Sequence, residues 1–314
     1  ALMLALEVQE AYREDLKLLV MSATIDTEQL SRYLNQAPVV KCPGRVFPVS
    51  VEYLGSNNSR LSVQVIDAVN QVLKNTVDGD ILVFLPGQAD IKRCLQSAQE
   101  HNHSNIDYLP LYGGLPLLQQ ELALSKKDNN RRRVIFSTNI AETSLTIEGI
   151  TNVIDSGLEK VLSFDIKSGL SRLETIYISK ASATQRAGRA GRLKSGHCIR
   201  LWAESFQNTL SDFQDEEVVS SDLSSLALDL SAWGITSFDD INWLTPPPKY
   251  HFDVACKLNH SLGLLDENNK ISIRGEKALS LGVEPRLASM LLSSETEIEK
   301  NISCILAALL SERD

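Results

Sequence analysis

The chain has 314 residues, and at roughly 150 residues per domain this length predicts about two domains. Lys and Arg number 31 against 40 Asp and Glu, a formal net charge of −9, and 43% of residues are hydrophobic, which excludes a disordered chain. No apolar run approaches the roughly 18 residues of a membrane span, so we expect no membrane association.

The cysteines and the first residues indicate a cytoplasmic setting. The five cysteines form no CxxC pair and are odd in number, which disfavours a zinc cluster or a disulfide framework and fits a reducing cytosol. The opening ALMLALEVQEAYRED lacks the basic region of a secretory signal. It does not begin with Met, so we expect the sequence to be part of a longer protein.

Charge is distributed unevenly along the chain. Residues 204–248 contain nine acids and no Lys or Arg, which accounts for the whole net charge. The preceding residues 175–203 contain six Lys and Arg and no acid. This pattern favours a focused site for a polyanionic ligand over a basic coat spread across the surface.

The first half alternates two kinds of segment. Short apolar runs rich in β-branched residues predict buried strands at 16–21, 81–86, 134–138 and 152–156. Amphipathic stretches predict helices at 27–35, 62–75, 89–100 and 116–126. Strands that alternate with helices predict an α/β fold with a parallel, doubly wound sheet. The segment 157–178, with alternating apolar residues, predicts a β-hairpin that projects from this sheet.

The second half is predicted to be mainly helical. A helical pattern at 221–233 leads to a turn near Gly234, and the proline run 245–248 prevents a helix there. A helix at 249–263 and a turn at 266–270 between short apolar runs follow, which is a winged-helix pattern. The remaining residues 275–310 are predicted to be helical.

The most specific motif is QRAGRAGR at residues 185–192. Arginine recurs every third residue, so on a helix that begins near Thr184 the guanidinium groups would cluster along one side. Guanidinium groups bind phosphate oxygens and stabilise charge that develops on a transferring γ-phosphate. A solvated basic helix is the usual interpretation of such spacing, but the interleaved Gln, Ala and Gly favour the phosphate site.

A second motif, TNIAETSLTI at 138–147, directly follows a predicted strand. Hydroxyl and amide side chains at the carboxyl end of a strand lie where doubly wound sheets bind ligands, and they are neutral donors for phosphate and sugar. Taken alone, the segment is equally typical of a polar connection. The preceding triplet Arg131-Arg132-Arg133 either approaches RNA phosphate or is a basic lead-in to the strand, which is more usual.

Four segments, in this order, resemble superfamily 2 helicases: SAT (22–24), FLPG (84–87), TNIAETSLTI and QRAGRAGR. The last two are typical of the DEAH-box branch, and GRVFPV (44–49), LYGGL (111–115) and PRLASML (285–291) are most similar to the bacterial HrpB-type helicases. The family's GxxxxGK[ST] and DExH motifs, which precede SAT, do not occur in the 314 residues. We therefore expect this chain alone to hydrolyse no ATP.

The resemblance also implies a domain organisation. Residues 1–42 would be the end of a first RecA-like domain, and 43–204 a complete second RecA-like domain that carries the hairpin. Residues 205–284 would form a winged-helix domain. Residues 285–314 would begin a helical bundle.

For the nucleotide phosphates, the resemblance implies roles for matching positions. Gln185 would place the attacking water, and Arg189 and Arg192 would act as arginine fingers. Ser144 would sense the γ-phosphate.

The resemblance places other residues against the nucleoside and the RNA. Thr146 and Glu148 would lie near the ribose, and Leu124 occupies the position where the family often has an aromatic residue against the base. Thr138 and Asn139 would contact the RNA backbone.

The implied activity is that of an ATP-dependent RNA helicase, monomeric and with 3′–5′ polarity. Ser22 and Thr24 would couple ATP hydrolysis to domain movement. Mg²⁺ is implied by phosphoryl transfer, with carboxylate ligands expected outside this sequence. The alternative is a non-catalytic interaction module that keeps the helicase fold without a phosphate-binding loop.

Overall fold

The structure, a computed structural model, describes residues 2–21, 27–41, 47–55, 58–100, 105–125, 131–142 and 145–311. The chain divides into two compact units. One comprises Ala1–Pro38, Leu162–Arg172 and Asp215–Asp314, and the other Val39–Val161 and Leu173–Gln214. None of the helices in the described ranges combines the length and hydropathy that a membrane span requires.

The strands of the described ranges are, in chain order, β1 (Val49–Tyr53), β2 (Asp80–Phe84), β3 (Ile106–Leu111), β4 (Arg132–Ser137), β5 (Ile150–Asp155), β6 (Leu158–Asp165), β7 (Leu170–Tyr177) and β8 (Gly196–Arg200). Six of them form one parallel sheet in the order β1-β8-β5-β2-β4-β3. The central strands β2 and β5 are buried along their whole length, as expected for a parallel sheet covered on both faces. The strands predicted at 81–86, 134–138 and 152–156 are confirmed.

The α-helices of the described ranges are α1 (Leu2–Ala11), α2 (Thr27–Tyr33), α3 (Leu61–Asn75), α4 (Gln88–Glu100), α5 (Leu117–Leu124), α6 (Lys180–Gly188), α7 (Glu204–Gln207), α8 (Glu217–Ser220), α9 (Ser224–Ala232), α10 (Lys249–Ser261), α11 (Ile273–Ser280), α12 (Pro285–Leu292) and α13 (Glu297–Ser311). Short 3₁₀ turns lie at Asn139–Ala141, Arg189–Gly191 and Phe238–Asp240. The four predicted amphipathic helices of the first half correspond to α2, α3, α4 and α5.

Successive residues of β2 pack on opposite faces of the sheet, because side chains alternate along a strand. Ile81 and Val83 belong to the core that also contains residues of α3 and α4. Leu82 and Phe84 belong to the core that contains Ala123 of α5 and Ala187 of α6. Helices therefore cover both faces, which confirms the predicted doubly wound, RecA-like sheet.

The predicted hairpin at 157–178 is confirmed as the two-stranded sheet of β6 and β7. Its turn contains Gly169, whose φ of +66° lies in the left-handed region, and the Gly169 amide donates to the carbonyl of Asp165 at 2.8 Å. Most of β7 is exposed to solvent.

The first unit is mainly helical, as predicted for the second half of the chain. Its core is formed by α9 and α10, with Leu230, Phe252 and Ala255 among the buried residues, and Met3 and Leu4 of α1 pack against it. The predicted turn at 266–270 is present, but its flanking apolar runs pair through a single antiparallel bridge between Leu265 and Ile271.

One prediction of secondary structure is wrong. Residues 16–21 form no strand; they pair with none of the described strands, and Leu19 and Met21 are 79% and 81% exposed. An apolar, β-branched run becomes a strand only where a neighbouring strand accepts its hydrogen bonds. The predicted helical character of 275–310 is confirmed by α11, α12 and α13, and the break between α11 and α12 falls where Gly282 adopts a φ of +65° and Pro285 begins α12.

Candidate nucleotide and nucleic-acid site

The loop after β4 begins at the carboxyl edge of the sheet. The Thr138 amide donates to the carbonyl of Leu111 at the end of the neighbouring strand β3, at 3.2 Å. The chain then turns through the 3₁₀ segment Asn139–Ala141. Thr138 is half-buried and Asn139 is exposed. Both side chains therefore lie at the edge where parallel sheets bind ligands.

The QRAGRAGR motif lies on α6 and the 3₁₀ turn that follows it. The helix begins at Lys180 rather than near Thr184, because the Ser179 side chain caps it by accepting from the Ser182 amide at 3.1 Å. The turn ends at Gly191, where a Cβ atom would lie 2.5 Å from the main-chain oxygen of Phe47. Only glycine permits this approach, so the chain after α6 lies directly against the segment that leads into β1.

The three arginines of the motif do not form the expected cluster along one side. Arg186 is 1% exposed and Arg189 is 5% exposed, whereas Arg192 is an exposed residue. The α-helix that carries Arg186 ends at Gly188, and Arg192 follows the 3₁₀ turn Arg189–Gly191, so the three arginines do not lie on one continuous helix.

Arg186 is surrounded by three carboxylates. Its Nε donates to Glu142 Oε2 at 2.9 Å and its Nη1 to Asp155 Oδ1 at 3.1 Å, while Nη2 lies 3.6 Å from Glu159 Oε2. The guanidinium also lies 5.0 Å from the ring centroid of Phe84. Arg186 therefore joins α6 to the loop after β4, the end of β5 and the first turn of the hairpin.

The carboxylates around Arg186 outnumber the positive charge. Burial raises the pKa of Glu159, Arg186 opposes this shift, and the nearby carboxylates of Glu142 and Asp155 add to it. The second oxygen of Asp155 is buried and has no hydrogen-bond partner among the described residues. The cluster thus favours a protonated Glu159 at a higher pH than an exposed glutamate would.

Arg189 binds the main chain of the loop after β4. Its Nε donates to the carbonyl of Glu142 at 2.9 Å, and its Nη atoms contact the carbonyl oxygens of Glu142 and Leu145. Burial lowers the pKa of Arg189 to about 10, with a contribution from the charge of Arg192, so the group remains cationic at neutral pH. In this structure Arg189 fixes the loop instead of facing solvent.

The remaining predicted site residues differ in exposure. Thr146 and Glu148 are exposed, and Gln185 is half-buried. Leu124, at the end of α5, is half-buried and packs against the core of Leu82 and Phe84.

Three predicted positions lie outside the described residues. They are the coupling residues Ser22 and Thr24 and the γ-phosphate residue Ser144.

The triplet Arg131-Arg132-Arg133 leads into β4, as the more usual of the two interpretations predicts, and its side chains contact other parts of the chain. Arg133 is buried against Asp80. Arg132 donates to both the carbonyl oxygen and the hydroxyl oxygen of Thr76. Arg131 forms an ion pair with Asp107 at 3.0 Å. All three guanidinium groups are already engaged within the domain.

Sequence reasoning missed the acids that surround these arginines. Asp80 begins β2 and Asp155 ends β5, each next to apolar residues of the strand, and both are buried. A buried carboxylate needs a cationic or hydrogen-bonding partner, so an acid in such a strand is itself a signal that a buried arginine exists elsewhere. The spacing of residues does not show which arginine it is.

Within the described ranges, no group of three or more His, Cys, Asp or Glu residues is arranged to hold a metal ion.

Residues 64–194 match the model of the helicase conserved C-terminal domain. This range contains the loop after β4 and the whole QRAGRAGR motif. Together with the parallel sheet covered by helices on both faces, it defines a helicase C-terminal domain with a RecA-like fold.

The chain is a homologue of the HrpB and HrpA DEAH-box helicases. It is 41% identical over 313 residues to the ATP-dependent RNA helicase HrpB of Escherichia coli (strain K12), covering 99% of this chain and 38% of that protein. It is 38% identical over 268 residues to the ATP-dependent RNA helicase HrpA of Borreliella burgdorferi, covering 84% of this chain and 33% of that protein.

The chain is also similar to solved structures of HrpB. The crystal structure of the Escherichia coli DEAH/RHA helicase HrpB superposes with a TM-score of 0.94 at 41% identity, covering 100% of this chain and 40% of that one. A second crystal structure, of the E. coli DExH-box NTPase HrpB, superposes with a TM-score of 0.89 at 40% identity, covering 100% of this chain and 39% of that one. The chain spans about two fifths of the length of HrpB.

Proposed function

We propose that this chain is part of an ATP-dependent RNA helicase that couples nucleotide hydrolysis to movement along single-stranded RNA. The observation that carries the proposal is the anchoring of one loop by one motif. Arg186 and Arg189 of QRAGRAGR hold the loop after β4 through Glu142 and the main chain of Leu145. A change at the motif is thereby transmitted directly to the loop.

The phosphate end of the site would be formed by residues that differ in exposure. Arg192 is exposed and is the arginine of the motif best placed to approach a transferring phosphate. Gln185 would place the attacking water, Arg189 would hold the loop at the phosphates, and Ser144 would sense the γ-phosphate.

The other residues of the loop would serve the nucleoside and the RNA. Thr146 and Glu148, both exposed, would approach the ribose, and Leu124 would pack against the base. Thr138 and Asn139 at the carboxyl edge of the sheet would contact the RNA backbone through polar groups, largely without regard to sequence.

Three further features belong to the proposal. The hairpin of β6 and β7 would separate the strands of a duplex as single-stranded RNA advances past it. Ser22 and Thr24 would couple hydrolysis to movement between RecA-like domains. Mg²⁺, bound by carboxylates that we expect outside this sequence, would neutralise charge on the phosphates.

The loop after β4 provides the test, because its two ends are assigned to different ligands. Thr138→Ala with Asn139→Ala should weaken single-stranded RNA binding by about 1–3 kcal/mol, the range for lost polar contacts to a charged partner. ATP hydrolysis without RNA should be largely preserved. Thr146→Ala should instead impair nucleotide binding and leave nucleotide-free RNA binding intact.

Both variants are measured in the protein at its natural length. Fluorescence anisotropy with a short labelled RNA reports RNA affinity, and phosphate release reports hydrolysis. If the two variants lost the same activity in the same proportion, the separation of the loop into an RNA end and a nucleotide end would be wrong.

A further inference from the structure

Arg133, at the start of β4, forms a buried ion pair that the proposed function does not use. Its side chain is 5% exposed and that of Asp80 is 4% exposed. Nε and Nη2 both donate to Asp80 Oδ2, at 3.0 and 2.8 Å, and the Arg133 amide donates to Oδ1 at 2.9 Å. The carboxylate of Asp80 is therefore satisfied by one residue.

The same guanidinium group has further donors, and these bind two other segments of the chain. Nη1 donates to the carbonyl oxygens of Ala123 and Ser125, at 3.1 and 2.9 Å. These carbonyls end α5, where helix carbonyls have no partner within the helix and a positive charge is favourable. Nη2 donates to the carbonyl of Glu148 at 2.6 Å.

The loop at Glu148 approaches this ion pair closely. The next residue, Gly149, has a φ of +86°, and a Cβ atom there would lie 2.7 Å from Asp80 Oδ2. A side chain at this position would push the loop away from the carboxylate. Glycine thus lets the Glu148 carbonyl reach Arg133, and one buried guanidinium group fixes both the end of α5 and this loop.

The residues that Arg133 fixes are those assigned to the nucleoside. Leu124 lies between the two carbonyls of Ala123 and Ser125, and Glu148 supplies the third. We infer that Arg133 is a positioning residue for the base and ribose part of the nucleotide site, which it shapes without touching the ligand. The inference rests on the proposed function, since it takes the nucleotide to be bound by Leu124 and Glu148.

Lysine is the informative substitution at Arg133. Its single ammonium group can still pair with Asp80, so the buried carboxylate keeps a counter-ion. The ammonium group cannot at the same time donate to the carbonyls at the end of α5 and to the carbonyl of Glu148. Arg133→Lys should therefore loosen Leu124 and Glu148 while leaving the phosphate-binding residues in place. Gly149→Ala, which keeps both partners of the ion pair but displaces the Glu148 carbonyl from Arg133, is the second variant if the first does not fold and should weaken ADP binding in the same way.

The experiment compares two competitors of a fluorescent ADP analogue in buffer containing Mg²⁺, using the protein at its natural length. In Arg133→Lys the affinity for ADP should fall about tenfold, equivalent to one weakened hydrogen bond to a charged group. The affinity for pyrophosphate, which has no base or ribose, should change less than twofold. For ATP hydrolysis, KM should rise and kcat should stay near that of the wild type.

Equal losses for ADP and pyrophosphate would overturn the inference and indicate general destabilisation. Unchanged affinity for both would mean that Arg133 supports only the fold. A wild-type protein that bound neither competitor would instead refute the proposed function itself. Arg93→Lys, the same substitution at a largely exposed arginine that pairs with Asp90 on α4, is the matched control and should change neither affinity.

Discussion

Neighbouring arginines in one motif serve different purposes, and their burial distinguishes them. Arg186 neutralises buried carboxylates, Arg189 binds main-chain carbonyls, and Arg192 is exposed. Substitutions at the three positions should therefore have different effects on catalysis and stability, although the sequence repeats the same residue every third position.

Arg189 and Arg192 can be separated by comparing catalysis with stability. Arg192→Ala should lower kcat for ATP hydrolysis by about 10³, as for loss of an arginine finger, with little change in thermal stability. Lysine at this position should rescue little, because a point charge does not reproduce the guanidinium fork. Arg189→Ala should lower both kcat and the unfolding temperature, since it releases the carbonyls of Glu142 and Leu145.

Steady-state kinetics and a thermal unfolding curve of each variant provide the test. Near-normal ATP hydrolysis by Arg192→Ala would mean that Arg192 is not an arginine finger and belongs to a solvated basic surface.

Glu159 should make stability depend on pH in the direction opposite to that of most carboxylates. Its folded-state pKa is raised by burial, so between the ordinary glutamate value of 4.5 and the raised value the folded protein binds more protons than the unfolded one. Stability conferred by this group is therefore lost as pH rises through that window. Glu159→Gln should remove this loss.

Denaturant midpoints across the same pH range, for wild type and Glu159→Gln, measure the effect. The exposed Glu100→Gln is the control and should follow the wild-type curve. A Glu159→Gln curve parallel to wild type would show that Glu159 titrates normally.

At the scale of elements, Arg186 connects α6, the loop after β4, β5 and the hairpin. Its Nη1 also donates to the carbonyl of Leu158 at 3.2 Å, in addition to its pairing with Glu142, Asp155 and Glu159. The elements that we assign to nucleotide and to strand separation thus share one buried charge.

Removing that charge should be costly. Arg186→Gln leaves three carboxylates without their cation, and loss of one partner of a buried ion pair destabilises by about 3–5 kcal/mol. Lys180→Gln, which breaks the exposed pair with Asp212, should leave stability close to wild type. Urea unfolding of both variants measures the difference. Equal stability of the two would mean that the carboxylates around Arg186 are satisfied by other means.

The strands that sequence predicted correctly lie inside the sheet, and two of those it missed lie at its edges. β2, β4 and β5 each contain apolar residues that are buried on both faces. β1 and β3 are the edge strands of the sheet, where Asp107 and Pro110 are tolerated because one side needs no hydrogen-bonded neighbour.

β8 was missed because its sequence, GHCIR, contains two residues whose roles depend on distant partners. Arg200 donates to the hydroxyl of Tyr53 at 2.7 Å, 147 positions away, and the ring of His197 forms a hydrogen bond with the hydroxyl of Ser50. The candidate site could likewise be predicted only in part, because its contacts also join residues that are distant in sequence. The motif residues were recognisable, but the acids around Arg186 and the carbonyls around Arg133 are brought together only by the fold.

At the scale of the whole molecule, the chain is acidic but confines many of its cations to one segment, and the proposed binding of RNA would use this segment instead of a basic coat. The cations of residues 175–203 are divided between buried structural pairs and exposed positions such as Arg192. RNA affinity should accordingly weaken with increasing salt, because phosphate contacts release counterions.

The central proposal, that this chain belongs to an ATP-driven motor that moves along RNA, is tested most directly by one assay on the protein at its natural length. ATP hydrolysis and separation of an RNA duplex with a single-stranded tail are followed in the same reaction. We predict that single-stranded RNA stimulates hydrolysis and that duplex separation requires ATP, with both lost in Arg192→Ala. Tight RNA binding with neither hydrolysis nor strand separation would contradict the account and identify a non-catalytic module that keeps the helicase fold.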